Sequence, residues 1–247
     1  MKTQIKLLTL SLILTLFSCS TRDIKVSNDL NNNADIYRVS GNNGFLINKK
    51  ITFGNYYTSP VKRGISTSSK VTLLGVSKTK AEQAISFIQN TPEGKSADVF
   101  AMNLYNNNEF DLLRGFEKYF NSFQNGFLAM ITPTEGGKVW KVFISNENTG
   151  TALKTETDYG YAIDNEGNEI KINGTKFLDN NNFFTNDTKT FGFELVQNGK
   201  SIGAFSVIHN GNVWISKDLS PDMKLVVASI ASALMTKNNL KSSMNIQ

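Results

Sequence analysis

The segment from Met223 to Met235 is apolar on every face of the helix that it is predicted to form. Lys224 is its single charged residue, and only small serines interrupt its apolar surface. Ser220, Pro221 and Asp222 favour a helix start, because serine caps, proline suits the first turn and aspartate stabilises the positive helix end. A helix that is apolar all round must be buried on all sides, and about 15 residues are too few to cross a bilayer. The sequence therefore predicts a β-barrel closed around this helix.

Most of the chain before this helix has the pattern of antiparallel strands joined by turns. Asn198-Gly199 and Asn210-Gly211 separate runs rich in β-branched and aromatic residues. Such pairs are the strongest short-range indication of a β-hairpin. Similar runs predict an antiparallel meander from residue 127 to residue 216, with earlier strands within Gly44 to Thr58 and Val71 to Val76.

Two amphipathic helices are predicted in the first half of the chain. Lys78 to Gln89 places Ala81, Ala84, Ile85 and Ile88 on one helical face. Phe110 to Phe123 has an aromatic stripe at helical spacing, and its charged residues fall mostly on the other side. We expect this stripe to face a sheet rather than a membrane, because an interfacial helix would carry more cations on its polar face.

The last strands and the C-terminal helix resemble the end of tubby-like domains, including their LURP-one and phospholipid-scramblase branches. The similar segments are Gly199 to Phe205, Val213 to Ser216, Asp218 to Asp222 and Leu225 to Ala228. The resemblance implies a mostly β fold, with an antiparallel β-barrel closed around a hydrophobic C-terminal helix, and it suggests anionic lipids as ligands. A β-sandwich with docked helices is the alternative fold.

The start of the chain has the three parts of a secretory signal. Lys2 and Lys6 form a basic region, Leu7 to Phe17 form a short apolar run, and Ser18 precedes Cys19. Leu16 to Cys19 resembles the bacterial lipobox, which implies cleavage after residue 18 and acylation of Cys19. Ser20 then favours the outer membrane by resemblance to the usual sorting rule, and a periplasm-facing position is preferred.

The predicted anchor also sets the expected domain organisation. Cys19 is the only cysteine, so acylation would leave the mature chain without a disulfide or a free thiol. Thr21 to Asp35 is polar and rich in asparagine. The sequence therefore predicts a lipidated flexible tether over residues 19–36 and a single β-rich domain over residues 37–247.

Composition argues against several classes of function. The formal net charge is +5 with lysines scattered among acids, and a nucleic-acid-binding surface would need clustered cations. We find no phosphate-binding glycine loop or dinucleotide fingerprint, so no cofactor is predicted. His209, the only histidine, stands beside Asn210-Gly211 at a hairpin tip, where a buried carboxylate partner is not expected.

Carboxylates are the remaining candidates for catalysis. Glu156 and Asp158 alternate on a predicted strand and would share a face, as the two acids of a glycosidase must. Asp164 to Glu169 resembles a calcium loop in composition but lacks its spacing. A solvent-facing strand and an ordinary turn are the favoured interpretations of these two segments.

Aromatic residues and paired cations around residues 53–64 form the best candidate binding surface. Tyr57, Lys62 and Arg63 could contact anionic headgroups or an acidic partner. The leading hypothesis is an outer-membrane lipoprotein that serves as a non-enzymatic binding or structural module for a lipid or an envelope partner. A carboxylate-based hydrolase acting on envelope glycans is the alternative.

Overall fold

The structure is a computed structural model that describes residues 23–42, 47–64, 84–105, 115–116, 118, 125–146, 158–176, 178, 190–208 and 211–242. The first eight elements along the chain are α1 (Asn28–Asn33), β1 (Ala34–Ser40), β2 (Thr52–Phe53), β3 (Tyr56–Thr58), β4 (Lys62–Arg63), β5 (Ile85–Asn90), β6 (Ser96–Tyr105) and β7 (Asn125–Pro133). The remaining seven are β8 (Trp140–Asn146), β9 (Tyr159–Asp164), β10 (Glu169–Thr175), β11 (Gly192–Gln197), β12 (Lys200–Ser206), β13 (Asn212–Ser216) and α2 (Pro221–Ser242).

The strands form a closed antiparallel β-barrel. From β5 to β13 each strand pairs with the next one along the chain, and β13 pairs with β1. β1, β2 and β3 continue the sheet, and β3 pairs with β5, which closes a ring of 12 strands. β4 adds a second short pairing to β5. The predicted meander from residue 127 to residue 216 is therefore confirmed, and so is the Asn198-Gly199 turn, where both residues have positive φ.

Helix α2 fills the barrel interior. Every residue from Leu225 to Lys237 is buried, and the apolar ones share one core with the inward-facing residues of the strands. Strand β12 approaches the helix so closely that a Cβ atom on Gly203 would lie 2.7 Å from the Val227 Cγ1 atom. The predicted mostly β barrel closed around a hydrophobic C-terminal helix is confirmed, and α2 runs seven residues beyond the predicted Met235 to Ser242.

The helix start has the cap that its sequence predicts. The Met223 amide donates to the Ser220 hydroxyl at 3.3 Å, and Pro221 and Asp222 occupy the first turn. These contacts satisfy an otherwise unpaired amide and place a negative charge at the positive end of the helix. The start of α2 is therefore fixed locally, before its packing in the barrel is considered.

The two ends of the barrel differ in their connections. Short turns lie at the end where α2 begins, and we call it the turn end; its turns occupy residues 54–55, 91–95, 134–139, 165–168 and 198–199. The opposite end, where the longer connections of the chain leave and re-enter the barrel, is the loop end. Lys237, near the last buried turn of α2, marks the loop end inside the barrel.

The described part of the segment predicted as a tether packs on the barrel. Ile24 forms a β-bridge with Leu178, and Leu30 of α1 is buried against the outward faces of Ala204 and Trp214. β1 begins at Ala34, three residues before the predicted domain start. The prediction of a flexible tether reaching residue 36 is therefore corrected, because four scattered apolar side chains from residues 24–34 cover an outer groove of β12 and β13.

The predicted helix from Lys78 to Gln89 is wrong over its described part. Residues 85–90 form β5, with Ile85, Phe87 and Gln89 facing the interior and Ser86, Ile88 and Asn90 facing outward. Ile85 and Ile88 therefore lie on opposite faces of a strand rather than on one face of a helix. Pairing with β3, β4 and β6 decides between two patterns that this short sequence fits equally well.

A second apolar cluster lies on the outer face of the barrel wall, separate from the core inside the barrel. Phe116 is buried against Phe143, with the ring centroids 5.8 Å apart, and outward residues of β6, β7 and β9 belong to the same cluster. Of the helix predicted from Phe110 to Phe123, only Gly115, Phe116 and Lys118 are described. The strand predicted from Val71 to Val76 lies outside the described residues.

Candidate functional site

Strand β5 brings two of the predicted binding residues to the same outer wall. Tyr57 stands opposite Asn90, and Lys62 stands opposite Ser86. Because Ser86 and Asn90 both face outward, Tyr57 and Lys62 flank Ile88 on the barrel surface. Tyr57 is 45% exposed and Ile88 is 40% exposed, and Ile36 is the one other exposed large apolar side chain among the described residues.

Arg63 lies beside this surface at the rim of the barrel. It stands opposite Ile85 at the loop end of β5, and both Lys62 and Arg63 are exposed. The Gly64 amide donates to the Ala84 carbonyl at 2.8 Å, which holds this rim segment against the start of β5. The structure therefore places Tyr57, Lys62 and Arg63 along one side of the barrel, with Arg63 nearest the loop end.

A shallow cavity of about 120 Å³ opens on the wall beside Lys62. Phe100 and Met130 form its apolar floor, and the polar groups around it come from Ser59, Ser86, Asp98 and Thr132. Ligand pockets that enclose a drug-sized molecule measure roughly 300–1,000 Å³. The cavity therefore suits a small polar group, and we call it, together with Tyr57, Ile88 and Lys62, the wall site.

The hydroxyls at the wall site have structural partners. The Ile88 amide donates to the Ser59 hydroxyl at 2.9 Å, and the Ser86 hydroxyl donates to the Gly64 carbonyl at 3.0 Å. A serine nucleophile needs a neighbouring base to accept its proton. These two hydroxyls instead hold the segment of residues 59–64 against β5, so the wall site has the chemistry of binding: one ammonium, one carboxylate and an exposed apolar surface.

Asp158, one of the two predicted catalytic carboxylates, is engaged at the loop end. Its carboxylate forms a mostly buried ion pair with the Lys237 ammonium, and the side chains are 16% and 6% exposed. The same ammonium lies 6.0 Å from the centroid of the Phe193 ring. Glu156 lies outside the described residues, so the predicted carboxylate pair is not placed by the structure, and Asp158 serves as a partner of α2.

The acidic segment after β9 is a turn rather than a ligand loop. The Asp164 carboxylate accepts from the Glu166 amide at 2.9 Å, the Asn168 amide at 2.8 Å and the Asn168 side-chain amide at 2.6 Å. Burial raises the pKa of Asp164, but these hydrogen bonds and the nearby Lys138 ammonium outweigh it, so that the pKa lies below its usual range. Asp164 is therefore an ionised residue that holds the turn between β9 and β10.

Replacing Asp164 with asparagine should lower the free energy of unfolding by about 1–3 kcal/mol near pH 7. The new amide group would face two donors, Asn168 Nδ2 and Lys138 Nζ, in place of an accepting oxygen. Because the folded-state pKa is lowered, this stabilisation is present above about pH 4 and is lost as the pH falls through the folded-state value. Urea unfolding of both proteins at about pH 7 and about pH 3 measures this effect. The difference between their free energies of unfolding should be smaller at about pH 3.

Glu166→Gln is the matched control for this measurement. Glu166 belongs to the same turn and contacts Lys138 at 2.6 Å, but its side chain is 60% exposed. Exposed ion pairs contribute little to stability, so this variant should unfold nearly as the parent does. Equal losses in the two variants, or a gap that does not change with pH, would contradict the role given to Asp164.

A pair of tyrosines lies inside the turn end. The rings of Tyr37 and Tyr56 are 5.4 Å apart, and Tyr56 also stacks on Phe53. Burial, followed by the negative charges of Glu93 and Asp35, raises the pKa of Tyr56 well above its usual value, and burial followed by the same two carboxylates raises that of Tyr37. Both phenols therefore remain neutral and are poor candidates for a general base.

Cys19 and His209, like Glu156, lie outside the described part of the chain. Among the residues that the structure describes, no cluster of three or more His, Cys, Asp or Glu side chains has an arrangement that could hold a metal ion. Within that same part of the chain, no helix combines the length and the apolarity that spanning a membrane requires.

Sequence reasoning missed two contacts that characterise the loop end of the barrel. Lys237 and Asp158 are 79 residues apart, and no local pattern connects them. Asp23 accepts from the Ile24 amide at 2.8 Å, and burial raises its pKa while hydrogen bonds involving Ser206 and Asn212 lower it. The sequence offered one indication of this ion pair: Lys237 is a charged residue directly after the uncharged stretch from Leu225 to Thr236.

Comparison with models of protein families, with curated protein sequences and with solved structures gives no match for this chain.

Proposed function

We propose that this protein is an outer-membrane lipoprotein, anchored by acyl chains on Cys19 and facing the periplasm, that binds a lipid or an envelope partner without catalysing a reaction. The observation that carries the proposal is the wall site, where exposed Tyr57 and Ile88 stand beside the Lys62 ammonium. Contiguous exposed apolar side chains next to a cation are typical of surfaces that bind other molecules.

The filled barrel supports a surface-binding role. In many small barrels the interior holds a ligand, but here α2 occupies it with buried residues from Leu225 to Lys237. Since α2 occupies the interior, we expect a ligand to bind on the outer wall formed by the described residues. The resemblance to tubby-like domains also suggests a barrel filled by a helix, with anionic lipids as the ligand class.

The alternative of a glycan hydrolase loses its best candidate residue. A retaining or inverting glycosidase needs two carboxylates that face a shared substrate space. Asp158 instead directs its carboxylate at Lys237, inside the loop end. We therefore favour binding over hydrolysis.

The combined change Tyr57→Ser with Lys62→Gln should weaken binding of the native ligand by about tenfold or more. Truncating an aromatic anchor or a charged contact commonly costs over 1 kcal/mol at an interface, and 1.4 kcal/mol corresponds to tenfold. The measurement is native mass spectrometry of the full-length protein after exposure to a detergent extract of the envelope of its host. The added mass identifies the ligand as a lipid or a protein.

Ile36→Ser with Lys171→Gln is the matched control, because Ile36 is 49% exposed and Lys171 is exposed on the opposite wall. The control should retain the added mass at the level of the parent protein. Equal retention by both double variants would contradict the wall site as the binding surface. Turnover of an envelope glycan by the purified protein would contradict the non-enzymatic proposal itself.

A further inference from the structure

The described chain begins at the loop end of the barrel. Ile24 is 2% exposed and forms its bridge with Leu178, just beyond the loop-end terminus of β10. Ile24 also lies against Gly192, where an added Cβ atom would be 2.8 Å from its Cδ1 atom. Asp23 is held by the Ile24 amide at 2.8 Å. The entry point of the chain is therefore fixed to the barrel and to one end of it.

The distance from this entry point to the proposed anchor is short. Four residue steps separate Cys19 from Asp23, and a fully extended chain spans about 3.5 Å per residue, so the reach is at most roughly 14 Å in any conformation. The barrel is longer than that, because the part of α2 from Pro221 to Lys237 measures about 25 Å at 1.5 Å per residue. An acylated Cys19 therefore keeps the loop end, and not the turn end, next to the bilayer.

The two ends also differ in charge. At the turn end, lysines are paired with acids: Lys138 contacts Glu166 at 2.6 Å, Lys200 contacts Asp218 at 2.7 Å, and further pairs follow the same arrangement. Those further pairs are Lys95 with Asp222, Lys224 with Glu93 and Lys217 with Asp35. The turn end therefore presents a balance of both signs to solvent.

At the loop end, cations predominate among the described residues. Arg38 stands opposite Asn212 at the start of β13, Lys49 and Lys50 lie in the connection from β1 to β2, and Lys62 and Arg63 form β4. All five side chains are exposed. The carboxylates described at this end are Asp23, whose pKa burial raises, and Asp158, which is held by Lys237; Asp98 lies across the wall-site cavity from Lys62.

The cations lie on one side of the loop end. Gly41, which follows β1, packs directly on the Lys50 carbonyl, and the Val61 amide donates to the Lys49 carbonyl at 2.9 Å. β1, this connection and β4 are therefore neighbours, and their cations form one basic rim of Arg38, Lys49, Lys50, Lys62 and Arg63. Exposed Ile88 is the next outward residue of β5 after Ser86, which stands opposite Lys62.

We propose that the basic rim docks on the anionic headgroups of the membrane in which Cys19 is anchored, so that the barrel stands on its loop end. An anionic bilayer surface attracts lysine and arginine side chains near it, and the attraction decays within a Debye length. The short link holds the loop end next to the bilayer, and the rim lies at that end. This inference rests on the proposed anchor and adds an orientation and a partner, an anionic lipid surface, to the proposed function.

The test uses the acylated full-length protein reconstituted in phosphatidylcholine vesicles, with and without phosphatidylglycerol. Both kinds of vesicle contain a fluorescence quencher attached to a lipid headgroup. Acylation consumes the Cys19 thiol, so one introduced cysteine can carry a fluorescent dye. Ser40→Cys reports the loop end and Glu135→Cys reports the turn end, and both side chains are exposed. The second change removes an acid from the turn end and so biases the measurement against the proposal.

We expect the dye at position 40 to lose most of its fluorescence, with greater loss when phosphatidylglycerol is present, and the dye at position 135 to keep it. Adding Lys50→Glu with Arg63→Glu should abolish the phosphatidylglycerol-dependent part of the loss at position 40. Lys141→Glu with Lys171→Glu changes the net charge equally on the opposite wall, and should leave the loss intact.

Equal quenching at the two positions would overturn the orientation. Quenching at position 40 that does not respond to phosphatidylglycerol would overturn docking by the basic rim. The intact mass of the same preparation separates these failures from failure of the anchor, because a mass without acyl chains would contradict the proposed lipoprotein directly. A correct mass with equal quenching would contradict the orientation alone.

Discussion

Replacing Ile230 with aspartate should prevent the chain from folding. Ile230 is 0% exposed at the middle of the buried part of α2, and the surrounding side chains are apolar. An unpaired charge in such an environment costs several kcal/mol, and the whole stability of a domain is about 5–15 kcal/mol. Circular dichroism, size-exclusion chromatography and thermal unfolding of the purified variant would show loss of the cooperative transition.

The same substitution at an exposed position is the control. Ile36 on β1 is 49% exposed on the outer wall, so Ile36→Asp should leave a soluble protein that unfolds cooperatively near the temperature of the parent. A soluble and cooperatively folded Ile230→Asp protein would contradict the enclosed helix. Loss of folding in both variants would contradict the placement of Ile36 on the exposed outer wall.

The enclosed helix was predictable because its evidence is local and unambiguous. A stretch without charge from Leu225 to Thr236 has no amphipathic face, so it has to be surrounded, and a closed barrel surrounds it. The strands from β7 to β13 were predictable for a similar reason. Turn residues such as Asn198 and Gly199 mark each reversal, and each strand pairs with the next one along the chain.

The first half of the chain was less predictable because tertiary pairing decides its structure. Ile85 to Asn90 is short enough to fit either a helical or an extended pattern, and its three partner strands select the extended one. The segment from Ile24 to Ala34 has few apolar residues, so it resembled a linker. Its apolar side chains nevertheless cover an outer groove that forms only when β12 and β13 are paired.

The candidate binding residues were predicted individually, but their arrangement was not. Tyr57 and Lys62 are five residues apart, and their position on either side of Ile88 depends on the register of β3 and β4 with β5. Ile88 itself was assigned to a helix face. The contribution of Asp158 was also misread, because its partner lies in α2, and only the closed barrel brings the two together.

Replacing Asp158 with alanine should lower the free energy of unfolding by about 3–5 kcal/mol, since it leaves the Lys237 ammonium buried without its carboxylate. Lys237 is 6% exposed, and the Phe193 ring, whose centroid is 6.0 Å from the ammonium, replaces little of the lost attraction. Chemical unfolding at neutral pH measures the loss. An exposed pair provides the matched control, because Lys200 and Asp218 are 54% and 55% exposed and Asp218→Ala should hardly change the stability.

The double variant Asp158→Leu with Lys237→Met distinguishes an ion pair from a merely buried carboxylate. Replacing both members of a buried pair by apolar residues of similar size is often neutral, so the double variant should recover most of the stability lost by Asp158→Ala. The same measurements separate binding from hydrolysis. If Asp158 were catalytic, Asp158→Asn would lose activity at an unchanged melting temperature. If Asp158 is the partner of Lys237, Asp158→Asn lowers the melting temperature, and the double variant restores it.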